Sequence, residues 1–360
     1  AASAVAPPHN ISMNNTFSIQ SDPFESPLLP TPSDSPAEVR RVFSLLGLAY
    51  AVLTLAHQLT AIACQFLLAF LAPATLSAWW VPWVLSLVPL YTVGLGLTWL
   101  ILRKVPVSPY NTDHALNASA AVEKPPFRFG HWVVLLIIAF GCMAAGGLTG
   151  HLIMAILSAV LDYDSANALN TIVDQSPVWM TFIATCICAP LGEELLFRKL
   201  LIDRTRRFGD LPSILLSGLL FGLFHGNLFQ FFYAAMVGMI MAYVYTRTGK
   251  YWWCVAMHAA INFMGSIVNP ALVGLLPEDM MSFENLLQPF IYLFILIWQY
   301  GMLIAGIVLF CVLFSRRKLS RGPSPLYREN AASLMLGNVG MIAALVVMGL
   351  VMAINLWPMR

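Results

Sequence analysis

The chain is predicted to be an all-α, polytopic membrane bundle of 8-9 transmembrane helices, and three observations predict it. It is 59% hydrophobic and only 10% charged, with a mean hydropathy of +0.76 over 360 residues, whereas soluble domains are about a quarter charged. Apolar runs of about 20 residues recur, the length that crosses a roughly 30 Å hydrocarbon core as helix. No period-two alternation of the kind a barrel strand needs is present, so helices are the spanning element. The net charge of +2 is too small to suggest a nucleic-acid partner, and the surrounding medium is the lipid bilayer.

Residues 1–39 are rich in Pro, Ser and Asn and carry too little apolar surface to offset the entropy of ordering, so a disordered cytoplasmic tail is expected there. Apolar runs then fall at 43–72, 79–102, 131–161, 177–203, 211–226, 228–247, 251–269, 288–314 and 333–357. These divide into N-terminal helices and a loop (40–130), a central membrane core (131–275) and C-terminal helices (276–360). No basic-then-apolar leader is evident, so the first run reads as a retained span. The six cysteines, Cys64, Cys142, Cys186, Cys188, Cys254 and Cys311, all lie in apolar runs without a CxxC pattern and read as buried thiols.

Lys and Arg are retained on the cytoplasmic side. The clusters Arg40–Arg41, Arg103–Lys104, Lys124 with Arg128, Arg204 with Arg206 and Arg207, Arg247 with Lys250, and Arg316 to Arg321 all fall on one side if the N-terminus is inside. The opposite loops carry Asp162, Asp164, Asp174, Glu278, Asp279 and Glu284 and no Lys or Arg. The sequons at Asn10, Asn14 and Asn117 then lie inside, where glycosylation is not expected. Arg204 to Arg207 read as orientation signals and headgroup contacts, and Trp79, Trp80, Trp83, Trp252 and Trp253 as interfacial belts.

Against this apolar background stand Glu193, Glu194 and Arg198. A charge at mid-bilayer costs roughly 2.5–3.5 kcal/mol on insertion scales, so three together need partners, water or a task. Glu194 and Arg198 are one helical turn apart and can pair; Glu193 is about 100° away round the axis and faces elsewhere. One carboxylate braces while the other is free to act. His225 follows Phe221 by one turn, in a stretch where Gly218, Gly222 and Gly226 allow close helix approach. His258 and Asn262, again one turn apart, present two donors of the kind an oxyanion site requires. Alone, each polar residue would be structural glue, as His57 and His151 are read to be.

The ordered pattern EExxxR (Glu193, Glu194, Arg198), FxxxH (Phe221, His225) and HxxxN (His258, Asn262), each in its own membrane segment, resembles the CAAX-protease and bacteriocin-processing family of intramembrane proteases. The family includes the Ras-converting endopeptidase of eukaryotes and the Abi proteins of bacteria. The resemblance covers about residues 177–270; Lys199 stands where a Gly is frequent. It implies a catalytic core within 131–275, with Glu193 as the general base that activates a water and His225 as a holder of that water. Glu194 and Arg198 would organise the site, and His258 and Asn262 would stabilise the oxyanion. The substrate implied is a membrane-anchored protein or peptide, of prenylated CAAX or leader type, and the compact EELLFR stretch points to a bacterial cytoplasmic membrane.

Two alternatives stay open at this level. No cofactor is needed for glutamate-activated water, but Glu193, His225 and His258 also match the ligand types of a catalytic Zn2+ site, without any HExxH spacing. The same polar set would serve a bacteriocin-immunity or scaffold protein that binds a peptide without cutting it, or a transporter using Glu193 as proton carrier, although no inverted repeat is visible.

Overall fold

The computed structural model of the chain describes residues 34–108, 127–161, 168–277, 283, 285–315, 319–326 and 330–356. Among them every regular element is helical. Eight helices are long and apolar enough to cross a membrane: α1 (Pro36–Leu71), α2 (Val81–Leu102), α3 (Phe129–Val160), α5 (Val178–Phe208), α7 (Leu228–Thr248), α8 (Tyr251–Val273), α9 (Leu287–Phe314) and α11 (Val339–Leu356). Shorter helices complete the chain: α4 (Ala168–Asp174), α6 (Asp210–Phe224) and α10 (Ala331–Leu336). The protein is a multi-pass membrane bundle.

Several expectations shift. The tail boundary at residue 39 is too late, because Ser35 and Glu38 form a capping box and Pro36 occupies the first turn, so α1 already begins at Pro36. Residues 1–33 and the three sequons lie outside the described residues, as do Lys124, Asp162, Asp164, Glu278, Asp279, Glu284 and Arg316 to Lys318. The segment expected as a fifth span is α6, 15 residues long and so about 22 Å, less than a bilayer core. Cys311 is exposed rather than buried, and Trp83 is buried, its indole N–H donating to Ser176 Oγ at 2.8 Å.

Arg204 and Arg206 also depart from the headgroup role, since both are buried. Arg204 Nε donates to the Leu102 carbonyl (3.0 Å) at the end of α2, and Arg206 Nη2 to the Thr246 carbonyl (2.8 Å) in the last turn of α7. Helix C-termini present unsatisfied carbonyls and partial negative charge, which is what an arginine satisfies. The turn between α5 and α6 then docks on the segment after α9: Asp210 N–H donates to the Ser320 carbonyl and Ser320 N–H to Asp210 Oδ2, both at 2.9 Å, while Ser324 N–H donates to the Arg207 carbonyl at 2.8 Å. Gly209, at φ 118°, makes that turn.

Close crossings hold the bundle. Gly47 of α1 and Gly340 of α11 abut each other's neighbouring backbone, and Gly141 of α3 meets Gly306 of α9. The stripe Gly218–Gly222 packs α6 against α7, where a Cβ on Gly222 would lie 2.8 Å from both Ala235 Cβ and the Phe231 carbonyl. The adjoining face of α6, through Ser217 and Phe221, meets α5. Small residues let backbones approach and gain dispersion where lipid offers no hydrophobic drive. Gly222→Leu is therefore expected to destabilise by about 1–3 kcal/mol or more through overpacking. Gly96→Leu, with open space around it, should leave thermal unfolding in micelles unchanged; equal effects of the two would refute this account of the α6–α7 contact.

Candidate active site

Helix α5 carries the acidic pair, and its backbone is not a regular α-helix there. It widens into i→i+5 turns over Phe182–Cys188 and again over Leu195–Leu200, with an α-helical stretch, Ala189–Glu194, between. Such turns disturb the ordinary carbonyl partnering and concentrate at functional sites. Neighbouring side chains supply donors to the carbonyls of this region. Asn262 Nδ2 donates to Thr185 O at 2.7 Å, Tyr91 to Cys188 O at 2.6 Å, Tyr50 to Leu196 O at 2.5 Å and Ser217 to Phe197 O at 2.8 Å; Tyr251 donates to Leu191 O. The donors come from α8, α2, α1 and α6. In a membrane interior, where water does not satisfy a carbonyl, they stabilise the irregular backbone.

Glu194 and Arg198 are fully buried. Arg198 Nε lies 2.9 Å from Glu194 Oε2, and Nη2 donates to Oε1 at 3.3 Å. Its remaining arm, Nη1, donates to Ser217 Oγ at 2.8 Å, and the guanidinium covers the Phe221 ring at 4.7 Å. Glu194 Oε1 also meets His258 Nδ1 at 2.9 Å. A carboxylate only accepts, so Nδ1 carries the proton and Nε2 is the nitrogen left facing outward. That nitrogen points towards Glu193, whose Oε2 is 3.9 Å away.

Glu193 differs from its neighbour. Its side chain keeps 15% exposure, yet Oε2 is shielded and takes no hydrogen bond. A buried carboxylate oxygen without a partner calls for a reason. His225 terminates α6 and stands edge-on to Phe221 at 4.8 Å; Phe221 in turn meets His258 at 5.7 Å. The His225 Nδ1 donates to the Phe221 carbonyl at 2.8 Å, which leaves its Nε2 as an acceptor.

The two histidines reach one level although His225 lies fifteen residues beyond Asp210 and His258 only seven beyond Tyr251. The cause is in the contacts of α5. Arg198 pairs with Ser217, seven residues into α6, while Glu194 pairs with His258. The α5–α6 hairpin thus projects past the level at which α8 begins.

Four of the six residues expected from sequence meet directly, and the other two sit on the neighbouring turns of α6 and α8. Glu194, Arg198, His258 and Glu193 are linked by direct polar contacts, His225 through Phe221, and Asn262 through α5. Among the described residues no group of three His, Cys, Asp or Glu side chains is gathered at metal-holding distances. Lys199, at the position where the resemblance has Gly, pairs with Asp203 at 2.7 Å near the surface. His57 and His151 each pair with a backbone carbonyl, of Ser86 (3.0 Å) and Gly147 (2.7 Å). The tyrosines were not foreseen; the one local sign was Gly192 before the acidic pair. Removing Arg198 (Arg198→Met) leaves Glu194 buried without its counter-charge and should cost about 3–5 kcal/mol. Glu193→Gln should cost about 1 kcal/mol or less, and similar thermal shifts for the two variants would contradict this division into brace and free carboxylate.

Comparison with known proteins places this geometry. Residues 175–264 match the family model described as Rce1-like, type II CAAX prenyl endopeptidase, a stretch that contains every residue of the locus. No curated protein and no solved structure matches the chain. The matched segment, a quarter of the chain, coincides with the buried Glu–Arg–His cluster, and over that stretch the chain is similar to the Rce1-like type II CAAX prenyl endopeptidases.

Proposed function

We propose that the protein hydrolyses a peptide bond in a membrane-anchored substrate by water that Glu193 activates, without a metal. The observation that carries the reading is the shielded Glu193 Oε2, free of any hydrogen bond and 3.9 Å from the outward nitrogen of His258. Glu193 takes a proton from water as the oxygen attacks the scissile carbonyl carbon. His225, with Nε2 as acceptor, holds the second hydrogen of that water and aims its lone pair. The negative charge that develops on the carbonyl oxygen meets two donors. One is His258 when its Nε2 is protonated; the other is the second N–H of Asn262, whose first is committed to Thr185 O. The proton held by Glu193 passes to the amine as the C–N bond breaks. Glu194 and Arg198 keep His258 in one orientation.

The reading extends to topology and substrate. The contacts of Arg204 with Leu102 O, Arg206 with Thr246 O and Trp132 with Trp253 O gather the basic ends of α2, α3, α5, α7 and α8 at one end of the bundle. The positive-inside rule assigns that end, and the N-terminus with it, to the cytoplasm. A prenylated C-terminal segment or a leader peptide, held at the membrane by its own apolar part, would reach the site from the cytoplasmic face or laterally from lipid, and a bacterial cytoplasmic membrane is the setting favoured by the compact site.

The test is cleavage of lipidated and unlipidated membrane-anchored peptides by the purified, reconstituted chain. Glu193→Gln should lower kcat about 10²–10⁴-fold, and His225→Ala should fall in the same range. Cleavage should persist in a chelator. Undiminished turnover by Glu193→Gln would remove the base from the scheme; loss in chelator with recovery on adding zinc would replace the metal-free mechanism. A folded wild type that binds these peptides without cutting any would instead favour an immunity or scaffold role.

A further inference from the structure

Immediately before Glu193 stands Gly192, and the Tyr91 ring of α2 lies against it so closely that a Cβ there would overlap ring and hydroxyl atoms. The Tyr91 hydroxyl donates to the Cys188 carbonyl at 2.6 Å. Ring and hydroxyl thus grip α5 at two points, Gly192 and Cys188, one helical turn apart. The grip falls at the junction of the widened turn Phe182–Cys188 and the α-helical stretch that carries the acidic pair. No hydrogen bond fixes Glu193 Oε2, so the aim of that carboxylate depends on the backbone beneath it.

We propose that Tyr91, which lies outside the segment 175–264 that matches the family, is a positioning residue for the reaction: with its hydroxyl on the Cys188 carbonyl and its ring against Gly192, it sets the direction in which Glu193 leaves α5. This also gives Gly192 a reason, since any side chain there would expel the ring. The inference rests on Glu193 being the base.

The experiment uses the full chain in lipid nanodiscs. Tyr91→Phe keeps the ring and removes the hydroxyl's bond to Cys188 O; Gly192→Ala displaces the ring. Both should lower kcat roughly 10- to 100-fold, the scale of a small misplacement of a catalytic group, with KM within about twofold. Tyr245→Phe, which removes a comparable hydroxyl bond to Asp203 (2.8 Å) away from Glu193, should leave kcat unchanged. A second readout does not need turnover: the rate at which a hydrophobic carbodiimide labels Glu193, followed by peptide mass. Tyr91→Phe should shift that rate several-fold and Tyr245→Phe should not. Unchanged kcat and labelling in Tyr91→Phe would overturn the proposal, as would equal losses in Tyr91→Phe and Tyr245→Phe. If the wild type cuts no peptide, the protease reading fails and the labelling rate alone decides the role of Tyr91.

Discussion

The buried pair of Arg198 with Glu194 is the interaction on which the rest of the site depends. Neither side chain has any exposure, and two ions withdrawn from water cost several kcal/mol each before their attraction is counted. That cost is offset only because every arm is engaged: Arg198 reaches Glu194, Ser217 and the face of Phe221, while Glu194 also receives His258. The pair thereby ties α5, α6 and α8 at one depth. A hydrophobic replacement of similar volume would pack as well, but it would leave His258 without an orienting partner. What the charges supply is a unique arrangement rather than net stability.

The two adjacent carboxylates thus have opposite surroundings. Glu194 is held by Arg198 and His258 at 2.9 Å each, while Glu193 Oε2 has only His258 Nε2 at 3.9 Å. Their separation arises from the backbone, since neighbouring residues of a helix project about 100° apart, and His258 lies where its two ring nitrogens address one carboxylate each. Such an arrangement requires α5 to be held rigidly. The tyrosines and Asn262 that cap its carbonyls come from α1, α2 and α8, so helices outside the matched segment take part in shaping it.

Much of this was legible in the chain. Spacing of four placed Glu194 with Arg198, and the apolar runs located the ends of the eight spans to within seven residues. The exceptions have physical causes. Arg204 and Arg206 look like topology signals because the carbonyls they cap belong to α2 and α7, remote in sequence. Gly218 and Gly222 announced a close contact without naming its partner, which is α7. The level of His225 could not be matched to that of His258 from run lengths, because only the pairing along α5 shows how far the α5–α6 hairpin projects. Tyr50 and Tyr251 gave no signal, and Tyr91 only the Gly192 on which its ring lies: a tyrosine in a membrane span is ordinary until a particular carbonyl is seen beside it.

Helix α9 has a different kind of attachment. It meets α3 at the Gly141–Gly306 crossing, with Trp298 on Phe140 and Phe314 on Tyr243, while most of its surface, from Phe290 and Leu293 to Ile304 and Val312, faces outward. At 28 residues it is about 42 Å long, well over a bilayer core. A helix longer than the bilayer core accommodates a thinner membrane by tilting. Gln288 at its start donates to the Leu275 carbonyl, and the segment after its end docks on the α5–α6 turn, so a tilt of α9 would pull on the ends of the helices that carry the acidic pair and make the lipid thickness of the membrane felt there.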